Sequence, residues 1–441
     1  MTAVDEAPAR ERDRAATPAR GASGKAKPRR PPIRPRGGLI AALDIGTTKV
    51  CCFIARVSDD KPRVLGIGHQ ISRGVRNGTI VDLDAAGTSV VNAVHAAEEM
   101  AGETIARTVA NLSGGYAASR IVKAEVGVGR REITDNDMRQ VLERGYSTRD
   151  GSDRQVIHSI PVGFSIDDSR GIVDPRGMVG ERLGVNMHIV TAAAASVRNH
   201  AAAIGRSHLE VEALVVSPYA AGLACLVDDE MDLGVTVIDM GGGTTTIGVF
   251  FGGSLIFADA VRVGGLHVTN DIARGLGTPV ADAERMKALF GSAIASTVDE
   301  REVIAVPQVG EEEDGHVNHV PKSLLVNIIA PRIEETFELV HQRLEASGCD
   351  KIAGRRVVLT GGACQLHGVR ELAGLILDKQ VRTGRPMRIN GLAEATHGPA
   401  FSTAAGLLHF ALSERAESPR PPSAALGGVF GRVGQWLRDN F

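Results

Sequence analysis

The sequence predicts an α/β protein of two related halves facing one another across a cleft, with a small α+β module inserted in the first half and an amphipathic helix at the C-terminus. Three observations predict it. One pattern of strand, aspartate and glycine/threonine turn occurs twice. A run of alternating apolar residues with one helical segment interrupts the first half. The final residues place their large apolar side chains at helical spacing.

The totals set the bounds. A chain of 441 residues has room for two or three domains, and 43% hydrophobic with 23% charged residues suits a globular protein with a sizeable core. A formal net charge of −2 gives no ground for a nucleic-acid partner. Residues 1–37 stand apart: ten Lys and Arg against four Asp and Glu, six prolines and almost no large apolar residue. Such a segment cannot offset its ordering entropy, so a disordered basic arm is expected, either a solvated tail or a strip touching anionic lipid or an acidic partner. Cys51, Cys52, Cys225, Cys349 and Cys364 show no metal or thioredoxin spacing and read as small buried residues of a reducing compartment. No bilayer-spanning apolar run and no signal peptide are seen, so a cytosolic location, or one against a membrane from that side, is expected.

The first copy of the repeated pattern is LIAALDIGTTKVCCFIA, in which an apolar strand ends in Asp44, turns through Gly46, Thr47, Thr48 and Lys49, and returns as a strand. The second is VTVIDMGGGTTTIGVF, with Asp239, then Gly241, Gly242, Gly243, Thr244 and Thr245. Glycines let backbone N–H groups converge as an anion-binding nest, the threonines add hydroxyl donors, and Lys49 can neutralise phosphate charge. Asp44 and Asp239 can hold Mg²⁺ through its waters. Neither turn leads directly into a helix and no GxxxxGK[ST] occurs, so two facing phosphate clamps fit better than a dinucleotide fold or a P-loop.

Between the copies, a helix over 84–102 precedes TVANLSGGYAASRIVKAEVGVG, a capping-box-like Thr134, the helix MRQVLERG and the strand QVIHSIPVGFSI. An inserted module over 103–185 is therefore expected. After the second copy, Glu284 and Lys287 share a helix face at i, i+3, to bracket a ribose and base or simply to form a surface ion pair. Glu311–Asp314 reads as an exposed acidic loop, and LLVNIIAPRIEETFELVHQRLEASG as a long helix with a possible kink at Pro331. The strand RVVLT then meets Gly361, Gly362 and Ala363, where a flat adenosine can lie against backbone, and a helix with Leu366, Val369, Leu372, Leu375 and Ile376 on its apolar side follows.

The tail follows the extended spacer SPRPPSAA. Leu426, Val429, Phe430, Val433, Trp436, Leu437 and Phe441 fall within an arc of roughly 140°, opposite Arg432, Gln435, Arg438 and Asp439. A helix packed on its own domain would show the same stripe. The spacer and the Trp, Phe and Arg content favour a helix lying in a membrane interface.

These motifs in this order resemble the actin/Hsp70/sugar-kinase superfamily: phosphate-1 at Asp44–Lys49, phosphate-2 at Asp239–Thr245, adenosine at Leu359–Ala363, and connector helices at SPYAAGLACL and AFSTAAGLLHF. Within it the chain resembles the FtsA family of bacterial cell-division actin homologues over about residues 39–441, through LDIGTTKV, SRGVRNGTIVDL, VIDMGGGTTTIGVF, GTPVADAERMK, IIAPRIEE and VVLTGGACQLHG. The resemblance implies an actin-like two-domain ATPase fold binding ATP and Mg²⁺, with subdomain 1A over 39–102, 186–211 and 392–412, 1C as the insert, 2A over 212–265 and 336–391, 2B over 266–335, a linker over 413–425 and a membrane-targeting helix over 426–441. It further implies binding of the FtsZ C-terminal peptide at 2B, with Arg332 the candidate contact or else paired on its own helix, together with filaments, recruitment of later division proteins and a peripheral place at the inner membrane. One departure concerns hydrolysis. Many bacterial actins carry a Glu before the proline of the first connector, and Ser217 stands there, so slow or absent turnover is expected. A sugar-type kinase would need a carboxylate base that the chain does not offer, and a pilus-assembly ATPase would lack the tail.

Overall fold

The computed structural model describes residues 38–416 apart from 59–60, 116, 147–152 and 311–316. The basic arm, the acidic run and the C-terminal helix lie outside the described residues.

The chain begins with β1 (Leu39–Ile45), β2 (Lys49–Ser58) and β3 (Lys61–Ile71), an antiparallel meander of mainly apolar residues. The short β4 (Val75–Arg76) and β5 (Thr79–Ile80) follow, and then α1 (Leu83–Ala101). Asp82 caps that helix by accepting from the N–H groups of Asp84 and Ala85, and Gly102 closes it in the left-handed conformation. β6 (Arg107–Leu112) runs back parallel to β1.

The insert comprises β7 (Ala118–Glu132), α2 (Asp135–Tyr146), β8 (Arg154–Ile166), β9 (Ser169–Ile172) and β10 (Val179–Ala193), in a sheet of order β7-β10-β8-β9. Its boundaries differ from the expected 103–185. β6 hydrogen-bonds into the first sheet, and β10 keeps its partners β7 and β8 up to Thr191 and Ala193. The insert has a core of its own around Met138, Leu142, Leu183 and Met187. Asp137 fixes the start of α2 by accepting from the Thr134 N–H and hydroxyl while Arg131 grips both its oxygens, which holds the carboxyl far below the usual range.

Next come α3 (Ala194–Gly205), β11 (Glu210–Val216), α4 (Ser217–Cys225) and α5 (Asp228–Leu233). β11 pairs with β6 through Val216, so the first sheet continues past the expected limit of 211. The second half contains β12 (Val235–Met240), β13 (Thr245–Phe251), β14 (Ser254–Val261), α6 (Gly265–Leu276), α7 (Val280–Phe290), β15 (Val303–Pro307) and β16 (Val317–Pro321). It continues with α8 (Lys322–Ser347), β17 (Arg356–Thr360), α9 (Val369–Leu377) and β18 (Gln380–Thr383). Pro331 lies inside α8, which runs through it as one helix. On α9, Val369 and Leu372 are buried, but Leu375 faces solvent. α10 (Ser402–Ala416) closes the described chain and extends into the segment expected as linker.

The two central sheets have one topology. The first is ordered β3-β2-β1-β6-β11 and the second β14-β13-β12-β17-β18. In each, three antiparallel strands are followed by two parallel ones. Cys51 and Cys52 show how β2 splits the first half: Cys51 enters a core shared by both halves, and Cys52 enters the core beneath α1. Burial pushes the Cys52 thiol up to about 12, so it behaves as an apolar group.

The shared core gathers Phe53 of β2, Val237 of β12, Phe250 of β13 and Leu407 of α10. α4 and α10 cross within it. A Cβ on Gly406 would lie 1.7 Å from the Ala220 carbonyl oxygen, so only glycine permits this approach. The insert also reaches the second half, since the Ala258 N–H of β14 donates to Ser119 Oγ at 2.9 Å.

Candidate functional site: a cleft between paired turns

The two repeated turns superimpose in their bonding. Gly46 N–H donates to the Lys49 carbonyl at 2.9 Å, and Gly241 N–H donates to the Thr244 carbonyl at 2.9 Å. Asp44 pairs across its hairpin with Cys51, and Asp239 with Thr246. Each sheet thus delivers one carboxylate at the end of its central strand and one tight turn beyond it. The turns abut: a Cβ on Gly242 would come within 2.3 Å of Thr48 Cγ2, and one on Gly243 within 2.5 Å of Thr47 Oγ1.

Together they line a cavity of about 570 Å³. From the first turn it takes Asp44, Gly46, Thr47, Thr48 and Lys49, and from the second Asp239, Gly241, Gly242, Gly243 and Thr244. Glu284 and Lys287 of α7 and Gly361, Gly362 and Ala363 after β17 complete the side predicted for a nucleoside. Thr245 is the exception. It is the first residue of β13, is fully buried, and its hydroxyl donates to the Val263 carbonyl at 2.8 Å.

The electrostatics suit a ligand that brings both phosphate charge and a cation. Burial pushes Asp44 up to about 6, opposed by Lys49 and reinforced by the Asp239 carboxylate. Burial likewise raises Asp239, opposed by a hydrogen bond from Thr403 and by Lys49. Lys49 donates to the Ala400 carbonyl and sits 3.7 Å above the Phe401 ring. Two desolvated carboxylates beside one lysine gain from a bound cation. Among the described residues no group of three or more His, Cys, Asp or Glu is placed to hold a metal ion. Bound Mg²⁺ would supply charge neutralisation between these carboxylates and a phosphate chain.

Lys287 donates to Glu284 at 2.7 Å, to Thr269 Oγ1 at 2.8 Å and to the Gly265 carbonyl at 3.1 Å. The pair is therefore built into the cleft wall and is not a free surface ion pair. Gly361, at φ 86°, leaves β17 in a conformation that favours glycine, and a Cβ there would meet Asp239 Oδ1 at 2.4 Å. Sequence reasoning missed Asn111, Gly265, His367 and Thr403 as cavity-lining residues. The Gly264–Gly265 step before α6 was the one legible signal among them, and it packs under the second turn through Gly265 N–H to Gly241 and Leu266 N–H to Gly242. Arg332 lies elsewhere, on α8, where it binds Asp271 (2.6 Å from Nε) and Glu335, so it is already paired within the chain.

Duplicated sheets, two crossing helices and a cleft between glycine turns define an actin-like ATPase fold. Solved structures agree. A chain of the PilM-PilN type IV pilus biogenesis complex matches with a TM-score of 0.61 at 17% identity, covering 86% of this chain and 99% of that one. MreB5 of Spiroplasma citri bound to ADP matches with a TM-score of 0.51 at 13% identity, covering 87% and 100%.

Within that class, the chain belongs to the FtsA family of cell division proteins. Residues 236–406 match the family described as Cell division protein FtsA, and residues 114–191 match the SHS2 domain inserted in FTSA. The cell division protein FtsA of Rhizobium meliloti (strain 1021) is 47% identical over 92% of this chain and 96% of its own. That of Escherichia coli (strain K12) is 34% identical over 91% and 98%. Among the described residues, no helix is long and apolar enough to cross a membrane.

Proposed function

We propose that the chain is an ATP- and Mg²⁺-binding tether that joins the FtsZ ring to the inner face of the cytoplasmic membrane and recruits later division proteins. The observation that carries the nucleotide part is the pair of equivalent turns presenting Asp44 and Asp239 to one cavity. Gly46–Lys49 and Gly241–Thr244 would hold the phosphates, Gly361–Ala363 and the Glu284–Lys287 pair the nucleoside, and the two aspartates the waters of Mg²⁺. Membership of the FtsA family supports the division role. The apolar stripe from Leu426 to Phe441 supports peripheral membrane docking, with filaments multiplying weak single contacts. Ser217 at the cavity wall, where many bacterial actins carry a glutamate, supports a ligand that shapes conformation more than one that is consumed.

FtsZ co-pelleting on liposomes tests this reading: full-length protein with ATP should carry FtsZ down with vesicles, and a chain lacking 426–441 should not. Pelleting of FtsZ without vesicle dependence would remove the tether role.

A further inference from the structure

Asn111 and Ser217 are both buried, and both line the cavity beside the two phosphate turns. Asn111 is the penultimate residue of β6 and Ser217 opens α4, the helix by which the chain leaves the first half. The orientation of the amide is fixed. The Ile45 N–H, one residue beyond Asp44, donates to Asn111 Oδ1 at 2.7 Å. The other end must then be the NH₂ group, which donates to Ser217 Oγ at 3.2 Å. With its oxygen accepting from the amide, Ser217 has its own proton to offer to the cavity.

We propose that Ser217 is a donor for the terminal phosphate of a bound nucleoside triphosphate, and that Asn111 is the positioning residue that aims it. The inference rests on the nucleotide reading above and deepens it, by assigning discrimination between tri- and diphosphate to this pair. The chemistry is that of a neutral hydroxyl donor in a buried wall. It binds phosphate oxygen without adding negative charge beside Asp44 and Asp239, as a carboxylate at the same place would. A diphosphate, one phosphoryl group shorter, leaves the donor to water. The same hydroxyl begins α4, whose first turn meets Gly406 of α10 at Ala220, so the contact joins the ligand to the connection between the halves.

Titration of full-length protein with fluorescent ATP and ADP tests the pair. Ser217→Ala should weaken ATP binding by about tenfold and leave ADP binding unchanged, since a hydrogen bond to a charged group is the quantity removed. Asn111→Asp keeps an acceptor for the Ile45 N–H but withdraws the donor, so the serine proton turns back toward the carboxylate and the same selective loss follows. Ser217→Thr retains the hydroxyl and should restore the ratio. Equal loss of both nucleotides in Ser217→Ala, or an unchanged ratio, overturns the assignment while the nucleotide site stands. A wild-type protein that binds neither nucleotide overturns both.

Discussion

Thr403 donates its hydroxyl to Asp239 Oδ2 at 2.9 Å, tying the first turn of the last helix to the carboxylate of the second phosphate turn. The contact spans 164 residues of sequence and favours the ionised form of a buried acid. Thr403→Val should therefore raise the Asp239 carboxyl further and weaken Mg²⁺-dependent nucleotide binding most at mildly acidic pH. Affinity measured across pH checks it, and a parallel curve for the variant would count against the coupling.

Asp44 gives a pH dependence of defined sign. Its folded value of about 6 lies above the ordinary 3.8, so the nucleotide-free fold favours the protonated form. The stability from this group is fully present below about pH 4 and is lost as pH rises through about 6. Asp44→Asn should stabilise nucleotide-free protein near neutral pH by on the order of 2–3 kcal/mol, with the gain fading in acid. The same substitution should abolish Mg²⁺-dependent nucleotide binding. Denaturant melts at two pH values decide it, and equal destabilisation at both would contradict the account.

Gly242 is where the turns press together, with 2.3 Å between a built Cβ and Thr48 Cγ2. Gly242→Val should displace the first turn and lower ATP affinity by at least about tenfold, while apo stability changes by no more than about 1 kcal/mol because the site lies at the rim of both cores. Full affinity in this variant would exclude the turns as phosphate clamps.

Arg332 bears on the partner surface. Its guanidinium already serves Asp271 and Glu335, so an acidic peptide docking here would compete with them. Asp271→Asn should strengthen binding of an FtsZ C-terminal peptide if Arg332 is the contact. Arg332→Glu should cost roughly 1–2 kcal/mol of stability by gathering three carboxylates. Peptide affinity indifferent to both substitutions would place the interface on another part of the surface.

Much of this architecture was legible because it repeats. Apolar strands ending in Asp44 and Asp239 carry a local signature, and the topology copies it faithfully. Long-range pairing was not legible. β6 reads as part of the insert by its alternation, and only its parallel bonds to β1 and β11 place it in the first sheet. That Thr245 turns its hydroxyl to the Val263 carbonyl is not legible either, because composition at a turn does not reveal where the strand begins. Asn111 and Thr403 were missed because a single polar residue at a strand end or a helix start has no period to betray it.

The contact between Gly406 and Ala220 limits how the halves can move. Two backbones already at closest approach cannot be pressed nearer, and both helices sit in one continuous core that resists being pulled apart. The motion such packing opposes least is a rotation about the Ala220–Gly406 contact, as at a bearing. A small swing there is magnified with distance, so the outer ends of the second half and the insert travel farther than the cleft itself. Occupancy of the cleft would therefore register more strongly at the outer ends of the molecule than at the cleft walls themselves.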